Sequence, residues 1–110
     1  MRWSALVFAV LTAGLPARAA DSRDLYAVHY DMLLADYCAL VDAQVLAGYR
    51  AESAAMIARD HLDEAQQRSE RARAAIDFEA EWGNRGLGGS RPWCRHEGSE
   101  GAERLAAAAP

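Results

Sequence analysis

Residues 82–94 read Trp-Gly-Asn-Arg-Gly-Leu-Gly-Gly-Ser-Arg-Pro-Trp-Cys, and this glycine-rich stretch decides how the chain is expected to close. It combines glycine, proline and two tryptophans, and it ends on Cys94, one of two cysteines in the sequence. Glycine permits tight chain reversal, and tryptophan buries a large apolar area. The stretch is therefore predicted to fold over one end of a bundle, with Trp82 and Trp93 packed inward.

Cys38 is the second cysteine and lies far upstream, in a segment with a helical pattern. Two cysteines in an exported domain are most simply a disulfide, so Cys38–Cys94 is predicted to fasten the glycine-rich loop to the end of the first helix. For a loop of this length, the chain-entropy model gives a stabilisation of about 4 kcal/mol. Neither Cys-x-x-Cys nor Cys-x-x-Cys-His is present, which disfavours redox catalysis and covalent haem.

The amino terminus has the features of an export signal. Arg2 precedes an apolar run over residues 3–15, and Ala17-Arg18-Ala19 fits the small-x-small pattern of signal peptidase. The run is shorter than the roughly 20 residues that an uncleaved anchor requires. Residues 1–19 are therefore predicted to be a cleaved signal peptide, which leaves no membrane span, and the mature protein is expected to be bacterial and either periplasmic or secreted.

The composition bounds the domain and its partners. Of 110 residues, about 90 remain after cleavage, enough for one domain, and much of the 52% apolar content is alanine, which buries little area. A core of this kind usually needs a cross-link. The net charge is −4, and signal removal takes away Arg2 and Arg18 but no acid. This acidic balance argues against nucleic acid and against an anionic membrane surface.

Apolar residues from Leu25 onward recur every three or four positions, which predicts an amphipathic helix with Asp31 and Asp36 on its wetter side. Asp42 is a good helix-capping residue, so a second helix is predicted after it, in which Gly48 allows a close approach to the first helix. A single helix over residues 25–59 is the alternative.

Asp63 followed by Gln66 predicts a capping box at the start of a third helix, which runs to about Trp82. No alternation typical of strands is found. The predicted fold is all-α: a small three-helix bundle over residues 20–97, closed by the disulfide-linked glycine-rich loop, with a flexible tail over residues 98–110. Within this tail, a frayed helical turn over residues 103–109 is the alternative to no structure.

Catalytic chemistry has little support in the sequence. Carboxylates fall among arginines, no Gly-x-Ser-x-Gly elbow is present, and the glycine-rich loop lacks the strand and lysine of a phosphate-binding motif. No enzyme activity and no cofactor are expected. His61 and His96 are weak candidates for metal ligands. His61 pairs with Glu64 and His96 with Cys94, but neither pair has the matched second pair that a tetrahedral zinc site requires.

The favoured function is a non-catalytic interaction or accessory module that binds another periplasmic protein. Tryptophan and arginine are enriched at interface hot spots, and recognition residues are often on loops. The candidate partner-binding residues are therefore Arg85, Arg91, Trp93 and Arg95. The alternative is a periplasmic carrier of a metal or cofactor with His, Met and Cys ligands.

The layout of an exported, acidic, helical domain with two widely spaced cysteines is similar to that of periplasmic acid-stress chaperones. The resemblance is one of architecture and includes no shared motif. It implies a chaperone-like sub-case of the interaction module, in which protonation of the carboxylates loosens the bundle near about pH 3.

Overall fold

A computed structural model describes residues 23–85 and 88–110 of the chain. Its helices are α1 (Leu25–Tyr37), α2 (Ala43–Asp60), α3 (Glu64–Asn84), α4 (Ser90–Trp93) and α5 (Ser99–Ala107), with a π-helical turn (Cys94–Gly98) joining the last two. The described residues contain no strand. This confirms the prediction of a small all-α bundle. The predicted signal peptide, residues 1–19, lies outside the described residues.

Aspartates begin the three long helices by capping their first backbone amides. Asp24, Asp42 and Asp63 each accept a hydrogen bond from the amide three residues later, at 2.8–2.9 Å. At Asp63 the box is complete, because its own amide donates to the side chain of Gln66 at 2.9 Å. The predicted caps at Asp42 and Asp63 are confirmed, and each places an acid at the positive end of a helix dipole.

The chain reverses between α1 and α2, so the single-helix alternative is wrong. Ala39 adopts a left-handed backbone with a φ of 58°. The amide of Leu40 then donates to the carbonyl of Ala35 at 2.8 Å, which satisfies a carbonyl that the end of α1 leaves open. Asp42 starts α2 three residues after this turn.

Helix α1 is the central element of the bundle. It packs against α2, α3 and α5, and α2 also packs along α5. Contacts of Asp31 with Arg104, and of Cys38 with Gly98, show that α1 and α5 run antiparallel. The apolar core lies where α1, α2 and α5 meet; its buried residues are Val28, Ala35, Val45, Ala102 and Leu105.

The prediction of a flexible tail over residues 98–110 is wrong. Ser99–Ala107 forms α5, in which Gly101, Ala102 and Leu105 are buried and Leu105 has 0% exposure. Small residues at the other buried positions let this helix approach α1 and α2 closely, so one large side chain is enough to fix it in the core. Glycine and alanine in this segment indicate close packing rather than disorder.

Gly48 lies at a close approach between α2 and α5. A Cβ atom at this position would lie 1.6 Å from the carbonyl oxygen of Leu105. Gly48 therefore lies at a close contact between helices, as expected, but the neighbouring helix is α5 rather than α1. Helix α5 lies within residues 98–110, the predicted tail, so the sequence offered α1 as the neighbouring helix.

Candidate functional site

The Cys38–Cys94 disulfide is present and joins α1 to the C-terminal helical segment. Cys38 follows the last residue of α1, Cys94 opens the π-helical turn, and their Cα atoms are 5.4 Å apart. A Cβ atom on Gly98 would lie 2.9 Å from the sulfur of Cys38. The π-helical turn therefore has a glycine where it passes the disulfide. Such turns interrupt α-helices frequently at functional sites.

Trp93 holds the C-terminal segment against α3. Its side chain is 1% exposed, and its ring centroid lies 5.6 Å from that of Phe78 and 5.9 Å from that of Tyr37. The indole Nε1 donates to Glu97 at 2.9 Å, so the polar atom of this buried ring is paired. Trp93 is one of the predicted partner-binding residues, but its burial gives it a packing role.

Arg85 is turned inward over the same ring. Its guanidinium carbon lies 4.3 Å from the centroid of Trp93, and its Nη2 donates to Glu81 at 2.6 Å. Glu97 lies 3.8 Å from that nitrogen. Cation–π stacking and two nearby carboxylates therefore occupy Arg85 within the fold, although it too was predicted to bind a partner.

The prediction that Trp82 packs inward is wrong, because this side chain is 53% exposed. Helix α3 runs through Trp82 to Asn84, close to the predicted end. Trp93 takes the position against Phe78 and Tyr37, which leaves Trp82 at the edge of that cluster.

An open groove of about 470 Å³ lies beside the disulfide. Its apolar lining comes from Cys38, Leu40 and Cys94, and its polar lining from Arg91, Arg95 and Ser99. The structure therefore brings together two of the predicted partner-binding residues, Arg91 and Arg95. They lie four residues apart, so they share one face of the helical segment.

Arg91 and Arg95 are exposed, and neither forms an ion pair with another residue in the ranges 23–85 and 88–110. The hydroxyl of Ser99 donates to the carbonyl oxygen of Cys94 at 3.1 Å, so it already has a partner inside the helix. The groove therefore offers two unpaired guanidinium groups above an apolar floor. This arrangement suits recognition of a segment that carries carboxylate groups beside apolar side chains.

Asp31 forms a second polar cluster, which the amphipathic pattern of α1 did not predict. It was expected on the wetter side of α1, yet it is 6% exposed. Arg23 Nη1 donates to it at 2.7 Å, and Arg104 donates through Nε at 3.1 Å and Nη2 at 2.9 Å. Burial is possible because two guanidinium groups satisfy the carboxylate. Arg104 belongs to the presumed tail, so the sequence did not indicate its contact with Asp31.

A cleft of about 320 Å³ adjoins this cluster, with Tyr26 and Tyr30 in its lining. Burial lowers the pKa of Arg23, but hydrogen bonds and charge from Glu52 and Asp31 outweigh it and leave this pKa raised. The hydrogen bond to Asp31 likewise raises the pKa of Arg104. The charges in the cleft pair with one another, which gives this cluster a structural role between α1, α2 and α5.

The histidines are dispersed over the molecule. His29 Nδ1 lies 2.8 Å from the hydroxyl of Tyr49, and its pKa is lowered by burial and by the positive charge of Arg71. His61, the left-handed residue that ends α2, and His96, in the π-helical turn, are both exposed. Over the described ranges, no group of three or more His, Cys, Asp or Glu residues could hold a metal ion.

Compared with known proteins, the chain matches no family model, no curated protein and no solved structure.

Proposed function

We propose that this protein is a non-catalytic binding module of the exported compartment, which docks a segment of another exported protein in the groove beside its disulfide. One observation carries the proposal: Arg91 and Arg95 stand exposed beside an apolar groove, without an ionic partner in the described part of the chain. Arg85, by contrast, pairs with acids inside the fold. Unpaired arginines beside apolar surface are typical of interface hot spots.

The compartment is supported by the disulfide and by the predicted export signal. Disulfides persist in oxidising compartments such as the periplasm and the extracellular space. No helix among the described residues is long and apolar enough to cross a membrane. Nothing in these residues favours the alternative of a metal or cofactor carrier, so binding of a protein segment is the one function proposed.

Site-specific photo-crosslinking in the native periplasm tests this function. A photoreactive side chain replaces Ser99 in the groove, and in a second version it replaces Ala55, which is exposed on α2 away from the groove. We expect a discrete adduct, identified by mass spectrometry, from position 99 alone. The adduct should disappear in the Arg91→Glu/Arg95→Glu double variant, because like charges repel an acidic partner.

The matched control is Arg50→Glu/Arg68→Glu, which changes the net charge by the same amount on exposed faces of α2 and α3. This control should keep the adduct, and circular dichroism should show an unchanged helical fold in both double variants. Equal crosslinking from positions 99 and 55, or an adduct that survives the Arg91→Glu/Arg95→Glu exchange, would reject the proposed function.

A further inference from the structure

The groove continues past the disulfide along α5. A second depression of about 260 Å³ is lined mainly by α2 and α5, and it shares Leu40 and Ser99 with the first. Its floor is again apolar, with Val45, Ala102 and Ala106 in the lining. Because the two depressions have lining residues in common, they form one elongated groove over the C-terminal helical segment.

The two ends of this groove carry opposite charge. Arg91 and Arg95 lie at the disulfide end, and Asp42 and Glu103 at the other. Asp42 uses one carboxylate oxygen to cap α2, and Glu103 is exposed without an ion pair to any other described residue. With a helical rise of 1.5 Å per residue, the separation along the segment from Arg91 to Glu103 is roughly 18 Å, or about three helical turns.

The spacing of the floor residues suits a helix as the bound segment. Ser99, Ala102 and Ala106 recur once per turn and are small, so they leave shallow holes at the interval at which a partner helix presents its ridge. An amphipathic helix places its apolar side chains in such a groove at i, i+3 or i+4, and i+7. Three turns of helix match the length between the charged ends.

We propose that the groove binds an amphipathic helix of about three turns that is acidic at one end and basic at the other. Its acidic end contacts Arg91 and Arg95, its basic end contacts Asp42 and Glu103, and its apolar face covers Leu40 and Ala106, which are the half-buried apolar residues of the groove. This inference rests on the proposed function and names the chemical class of its partner. Charge complementarity at both ends fixes the orientation of the bound helix, since the reversed orientation opposes like charges.

Four synthetic helical peptides with the same apolar face serve as probes. Their ends are acidic and basic, acidic at both ends, basic at both ends, or uncharged. Fluorescence anisotropy with the mature protein should show the tightest binding for the peptide with one acidic and one basic end, by about tenfold over each of the others at low salt. The preference should shrink as salt is raised, because exposed charges are screened.

Charge exchange in the protein gives the sharper result. The Arg91→Glu/Arg95→Glu variant should prefer the peptide that is basic at both ends. Glu103→Arg places a cation beside Asp42 and neutralises that end, so it should no longer discriminate between the peptide with one acidic and one basic end and the peptide that is acidic at both ends. The Arg50→Glu/Arg68→Glu control should keep the preference of the unmodified protein. A preference that follows the exchanged charges cannot arise from a general loss of folding.

Equal affinity of the unmodified protein for all four peptides overturns the inferred polarity, while a groove-specific adduct at position 99 would still support the proposed function. Failure of every peptide to bind overturns the inference that the partner is a helix. The crosslinking experiment then tests the proposed function independently. Unchanged preferences in both charge-exchanged variants also overturn the inference, because they place the binding outside the groove.

Discussion

Helices α3 and α5 differ in how clearly their sequences predict them and in how deeply they are buried. Helix α3 has 21 residues, a capping box and charged pairs along its surface, yet Ala74 is its one buried residue. Helix α5 has nine residues and no side-chain cap, and it buries Gly101, Ala102 and Leu105. The most evident helix therefore lies at the margin of the bundle, and the least evident one completes its core.

This contrast arises because local helix signals and burial depend on different interactions. Caps and i,i+4 charge pairs act within one helix and report its local tendency to form. Burial depends on which other element a segment packs against. Glycine and alanine favour it because small side chains permit close contact between helices. Helix α3 is a strong helix by local criteria, whereas α5 is stabilised mainly by packing against α1 and α2.

Deletion of matched side chains in the two helices should give the largest difference. Leu105→Ala in α5 removes a side chain with 0% exposure and is expected to lower the free energy of unfolding by about 2–5 kcal/mol. Ile76→Ala in α3 removes a side chain that is 66% exposed and should change it by less than about 0.5 kcal/mol. Urea unfolding followed by circular dichroism measures both, and equal losses would contradict the contrast.

Glycine-to-alanine exchange should change stability in opposite directions at two sites. At Gly48 the new methyl group would lie 1.6 Å from a carbonyl oxygen of α5, so a loss of about 1–3 kcal/mol or more is expected from overpacking. At Gly83 in α3 nothing lies within 4 Å, and alanine should raise stability by roughly 0.5–1 kcal/mol. Thermal unfolding of both variants checks the signs; a neutral Gly48→Ala would show that α2 and α5 are not in close contact.

A smaller effect is expected from pH. Burial and the charge of Arg71 lower the pKa of His29 in the folded protein below its ordinary value. The unfolded chain therefore binds a proton at a higher pH than the folded one, so stability is full above the unfolded pKa of about 6.5 and falls as pH decreases below it. His29→Gln should flatten the stability profile between about pH 7.5 and 5.5 in urea unfolding. An unchanged profile would remove His29 as its source.

The smallest effect concerns the edge between α1 and α3. The hydroxyl of Tyr26 donates to Asp77 at 2.5 Å, and this hydrogen bond, followed by burial, raises the pKa of Tyr26 to about 12. Its contribution is therefore complete below the ordinary pKa of 10 and is lost as pH rises through about 12. Tyrosinate absorbance should assign this late titration by its loss in Tyr26→Phe. Asp77→Asn should move it to lower pH, and an unmoved titration would contradict the assignment.

The sequence predicted the parts of the fold that depend on local signals or on cysteine count. The caps at Asp42 and Asp63 and the Cys38–Cys94 disulfide are all observed. The burial of Asp31 was not predictable, because it depends on Arg104, which lies 73 positions away in a segment that has no helical cap. Gly101, Arg104 and Leu105 do recur at helical spacing, but only the contacts with α1 and α2 show that this segment belongs to the core.

Two of the four predicted partner-binding residues, Arg91 and Arg95, line the groove. Residue type and loop position predicted a partner-binding role for Arg85, Arg91 and Arg95 equally. In the structure these arginines differ in their contacts. Arg85 meets the ring of Trp93 and the carboxylate of Glu81, whereas Arg91 and Arg95 line the groove. The groove itself requires α5 beside Leu40, and the sequence pattern of residues 98–110 did not predict that helix.

Native-state hydrogen exchange tests most directly whether α5 belongs to the core while α3 lies at its margin. Amide protons within Ala102–Leu105 of α5 should exchange only through global unfolding, with protection equal to that of α1. The first two turns of α3, over residues 64–71, should exchange faster despite their capping box. Exchange of the α5 amides at the rate of an unstructured peptide would contradict the account and remove one wall of the proposed groove.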